Sequence, residues 1–189
     1  MKIESLRDLY AEQLQGLYDA EHQLIKALPK MAKAASSEDL RTALEDHLAK
    51  TREHAQRIQT IFGRMGLKTR GKKCQAMEGL VKECGAVMKQ VMEDGLKDAA
   101  LIAAAQRIEH YEIAGYGCVR AHATTLGDDV AAAFLAQTLE EEEKADKTLN
   151  RIAKGLNLEI SRERGQSQER PEHQGRQEQM TGARSTSAA

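Results

Sequence analysis

Glu109 and Glu112 follow an apolar run from Ala99 to Ala105 and stand three residues apart, so on a helix both carboxylates leave the same face. That face also carries Ile102, Ala105, Ile113 and Tyr116. Two carboxylates directed into an apolar interior repel each other and lose hydration; they need a proton, a counter-charge or a metal ion. Similar residues interrupt the apolar stripes elsewhere. Glu21 lies between Leu17 and Leu24, and His47, Thr51 and His54 lie between Leu44 and Ile58. Gln106 precedes the central pair, and Glu142 and Asp146 lie between Leu139 and Leu149. Carboxylates and imidazoles projecting inward from facing helices are the ligand set of a di-iron or di-manganese centre. The usual form takes one Glu from each of two helices and Glu-x-x-His from the other two. No Glu-x-x-His follows the stripe here. A metal-free network closed by Lys50, Arg107 or Arg120 is the competing reading.

The elements that must position these groups are helices. The first starts at a cap formed by Ser5 with Asp8 and carries Leu6, Leu9, Leu14, Leu17, Leu24 and Leu28 on one side, with Pro29 expected to kink or interrupt its last turns. Ser36 and Ser37 open a second helix, which ends near Gly63 to Gly66. A basic loop, 67–73, precedes a shorter helix over about Cys74 to Met92, expected to cross the bundle from one end toward the other. The helix bearing Glu109 is expected from Asp98 to about Leu126, after which Gly127, Asp128 and Asp129 stop it and start the last helix. Beyond Ile160 aliphatic residues nearly vanish. The expected organisation is a bundle over 1–160 and a disordered polar tail over 161–189.

The two halves resemble each other. Leu44-Glu-Asp-His47 parallels Leu139-Glu-Glu-Glu142, and Tyr18-Asp-Ala-Glu21 parallels Glu109-His-Tyr-Glu112. Pseudo-twofold symmetry would set Glu21 against Glu112 and His47 against Glu142. Composition agrees with an all-α fold: of 189 residues, 41% are hydrophobic, 30% charged and only 3% aromatic. A net charge of -1 argues against a nucleic-acid partner or binding to an acidic membrane surface. No apolar run approaches the roughly 20 residues of a membrane span, and no signal-peptide pattern precedes the first helix. Cys74, Cys84 and Cys118 lack zinc-type spacing, so a cytoplasmic setting with reduced, inert thiols is expected.

Four stretches resemble the YciE/YciF family of bacterial ferritin-like proteins. They run from Tyr18 to Leu24, Lys72 to Leu80, Asp98 to Ala114 and Thr138 to Glu142, within a likeness spanning roughly Leu6 to Ile152. The third stretch is the most specific. The resemblance implies a ferritin-like four-helix bundle with an additional crossing helix, a homodimer, and a role in bacterial stress responses. It also implies a two-metal site for Fe or Mn on Glu21, His47, Glu109, Glu112, Glu142 and Asp146. One departure stands out: Lys50 occupies a position where the family commonly has Glu, which exchanges a carboxylate for a cation. A metal-free structural or interaction bundle that dimerises is the alternative function.

Overall fold

The computed structural model describes residues 3–68 and 72–168, with side chains through 162. Five helices follow in order, and their boundaries trace to local chemistry. At the start of α1 (Leu6–Ala34), Ser5 Oγ accepts from the Asp8 N–H at 3.1 Å, while the Asp8 carboxylate accepts from Ser5 Oγ at 2.7 Å and from the Glu4 N–H at 3.1 Å. The interruption expected at Pro29 does not occur. The helix continues because Met31 and Ala32 beyond it are buried in the core. Ser37 caps α2 (Glu38–Met65), and Gly66 ends it in the left-handed region at φ 70°, where a side chain would be strained. Cys74 caps α3 (Gln75–Lys89). The helix α4 (Asp94–Thr125) starts one turn before the expected Asp98, and Gly127 at φ 74° makes the turn into α5 (Asp129–Gln168). The last helix thus runs past the expected end at Ile160. The rest of the expected tail, 169–189, lies outside the described residues.

The helices α1, α2, α4 and α5 form the bundle, with the hairpins α1–α2 and α4–α5 packed most extensively. Short α3 lies against α1 and α4 as the crossing element that carries the chain back along the bundle. This is the ferritin-like arrangement expected from the sequence. Asp98 ties the halves together at one end: its carboxylate accepts from the Ser36 and Ser37 N–H groups at 2.9 and 2.6 Å, although it sits a turn inside α4. Arg64 on Asp128 at 3.1 Å ties them at the other end. Between these ends the interior has three layers. One apolar layer holds Leu24, Leu28, Met31, Leu40, Leu101 and Ile152; the other holds Tyr10, Leu14, Ile61, Phe62, Val119 and Leu135. Every long helix passes from one to the other through buried polar residues. Gly115 lets α1 and α4 approach closely there, since a Cβ on it would lie 2.8 Å from Leu17 Cδ2.

Candidate metal centre

The polar layer takes Glu21 from α1, His47, Thr51 and His54 from α2, Glu109 and Glu112 from α4, and Thr138 and Glu142 from α5, all buried. Helical spacing explains the selection. Each residue stands where its apolar stripe would have continued, so packing the stripe forces the polar group inward. Two sets of donor atoms converge. His47, Glu109, Glu112 and Glu142 form one, Glu21, His54 and Glu142 the other, and within each set the donors lie within 4.8 Å of one another. Glu142 belongs to both. His47 Nε2 lies 3.4 Å from Glu109 Oε1 and 3.8 Å from Glu142 Oε2, so His47 and Glu142 do oppose as the internal repeat suggests. His54 Nδ1 lies 2.8 Å from Glu142 Oε1 and 3.6 Å from Glu21 Oε1.

Few of these atoms are satisfied. Both oxygens of Glu112 and of Glu142, one oxygen each of Glu21 and Glu109, His47 Nε2 and His54 Nδ1 all lack a hydrogen-bond partner. The short approach of His54 Nδ1 to Glu142 is therefore a charge contact without hydrogen-bond geometry. The other His54 nitrogen, Nε2, is held by Glu141 Oε2 at 2.9 Å. Glu141 is fixed in turn by Arg57 Nη1 at 2.6 Å, a chain that orients the imidazole with Nδ1 toward the cluster. Tyr116 donates its hydroxyl to Glu21 Oε1. Tyr111, a second tyrosine on α4, instead meets Cys74 Sγ at 2.9 Å.

The electrostatics follow from crowding acids in a buried layer. Burial first, and then the neighbouring carboxylates, push Glu109 and Glu112 well above the ordinary carboxylate range. Glu21 is raised by burial, with His54 opposing. Burial acts the same way on Glu142, but His54 and His47 outweigh it and hold that carboxyl low. Burial disfavours the His54 cation, yet Glu142 and Glu21 outweigh it and raise the imidazole to about 10. His47 is lowered by burial and stays a neutral donor. Burial and crowding thus favour the protonated form of Glu109 and Glu112, while Glu142 and Glu21 favour the charged form of His54.

The cations expected to close a metal-free network lie elsewhere. Lys50 has a half-exposed side chain, paired with Glu53 at 3.0 Å and Glu141 at 3.8 Å. Arg107 reaches Glu83 at the surface, and Arg120 is exposed. Of the six residues in the ligand set implied by the resemblance, Glu21, His47, Glu109, Glu112 and Glu142 come together. Asp146 does not join either donor set; it accepts from Gln106 at 3.1 Å and Asn150 at 3.0 Å at the edge of the layer. His54, inward-facing by its spacing but not among those six, does join. Its distance of two turns from His47 hid it, and the signal that could have found it is its place opposite Glu21 on the stripe.

Chain comparisons agree with the overall fold. Residues 5–161 match the family described as a domain of unknown function, DUF892. The chain belongs to that family. Protein YciF of Escherichia coli is 42% identical over 154 residues, covering 81% of this chain and 93% of that protein. The crystal structure of that relative, described as a stress protein, superposes with a TM-score of 0.80 at 40% identity, covering 82% and 99% of the two chains. YcfI of Rhodopseudomonas palustris superposes at 0.76 with 40% identity, covering 79% and 95%.

Proposed function

We infer that this protein is a metal-binding, ferritin-like member of the bacterial stress response, with a two-metal Fe or Mn centre in the polar layer. The observation that carries the reading is the set of partnerless buried donor atoms on Glu21, His47, His54, Glu109, Glu112 and Glu142. A buried carboxylate without a partner is costly, and a divalent cation would satisfy several at once. Two imidazoles and four carboxylates are a donor set that suits iron or manganese. His47, Glu109 and Glu112 would hold one ion and Glu21 and His54 the other, with Glu142 shared between them. When bound, such ions supply Lewis acidity and, for iron, electrons. The chain's own part is to orient His54 through Glu141 and Arg57 and to hold Glu21 through the Tyr116 hydroxyl. The stress role rests on the likeness to the YciF stress protein.

Elemental analysis of protein purified without chelator tests the centre. Near two Fe or Mn per chain is expected; under about a tenth, even after anaerobic Fe(II) loading, would sink the reading. The same reading includes a homodimer, which rests on the family resemblance. Light scattering should then return twice the 20.9 kDa of one chain. A monomer mass at micromolar concentration overturns the dimer.

A further inference from the structure

Between α2 and α5 a cavity of about 560 Å³ leads from the surface to the polar layer. Leu44, His47, Glu109 and Leu149 form its buried wall, and Ala43 and Ala145 line its flanks. His47 Nε2 and Glu109 Oε2, two of the partnerless donor atoms, belong to residues of that wall. A water molecule takes about 30 Å³, whereas pockets for organic ligands run from about 300 to 1,000 Å³. The space is therefore much larger than an ion or a peroxide needs. The mouth carries charges of both signs. Lys50 meets Glu53 and Glu141, and Arg57 behind them meets the same two carboxylates; Asp46 and Lys144 add one charge of each sign to the lining. Within this mixed lining, Ala43, Leu44, Ala49, Ala145 and Leu149 are the apolar part, and His47 and Glu109 belong to the polar layer.

We propose that this cavity binds a small organic molecule with an apolar stem and one oxygen-donor head, the stem lying along Ala43, Leu44, Ala145 and Leu149 and the head reaching the centre beside His47 and Glu109. The inference rests on the two-metal reading and adds a ligand class to it. Octanoate is a suitable probe and acetate its stemless control. Calorimetric titration of the full chain loaded with Mn(II) should give octanoate a dissociation constant lower by roughly tenfold or more, as burial of about two methylene groups would produce. Ala43→Phe and Ala145→Phe fill the channel from opposite walls without removing a ligand. Each variant should keep the wild-type Mn(II) content and lose the preference for octanoate. Equal binding of octanoate and acetate by Mn(II)-loaded wild type overturns the ligand proposal and leaves the metal reading standing. Absence of bound Mn(II) overturns both. A preference for octanoate that survives in both filled variants puts the stem elsewhere and also overturns the proposal.

Discussion

Glu112 has no hydrogen-bond partner on either oxygen, and burial with Glu21, Glu142 and Glu109 nearby holds its pKa above the ordinary 4.5. The folded, metal-free protein therefore keeps a proton that the unfolded chain releases above about pH 4.5. This group's contribution to stability is complete below that pH and declines as pH rises toward the folded value. Glu112→Gln keeps the shape but cannot ionise. Metal-stripped variant and wild type should differ little near pH 5, and the variant should gain on wild type by on the order of 1 kcal/mol per pH unit above it. Urea melts between about pH 5 and 8 measure the difference. A variant that loses stability relative to wild type across this range would mean that a fixed cation balances Glu112. In the same variant Mn(II) affinity should fall by at least about tenfold, the lower figure for removing a group that merely supports a ligand.

Among the elements, local chemistry was readable and distant partners were not. Apolar stripes at helical spacing, the Ser5 and Ser37 caps and the glycine stops at Gly66 and Gly127 announced the long helices. Five of the six candidates that lie together were legible because they break those stripes. Spacing alone says which face a residue occupies but not how deep that face lies in the bundle, so it did not show that His54 sits within the cluster and Asp146 at its edge. Asp98 is the clearest case of a hidden role. It reads as the start of its own helix, yet it is 1% exposed and accepts both N–H groups that lead into α2. That role needs the folded α1–α2 turn beside it. Asp98→Asn replaces one accepting oxygen with a donor that would face a backbone N–H. A loss of about 1–3 kcal/mol in denaturant melts is expected, the cost of leaving a buried donor unpaired. A change below about 0.5 kcal/mol would show that this junction adds little to the packing of the two hairpins.

For the whole molecule, the notable fact is that all four long helices contribute to one polar layer held between two apolar ones. The apolar layers supply the driving force for assembly, while the polar layer opposes it until its carboxylates and imidazoles are satisfied. Metal in that layer would bind the folded chain and not the unfolded one, because the donors come from positions as far apart as Glu21 and Glu142. Stability should then follow mass action. Free Mn(II) at a hundred times its dissociation constant should add about 2.7 kcal/mol, which for a chain of this size raises Tm by roughly 5–10 °C. Chelator should reverse the shift, and Glu112→Gln should need more metal for the same rise. Mg(II) at equal concentration serves as the control, because it favours oxygen ligands and suits imidazole poorly. Equal shifts from Mg(II) and Mn(II) would assign the effect to exposed carboxylates; a shift confined to Mn(II) or Fe(II) and reduced by His54→Ala would assign it to the layer between the hairpins.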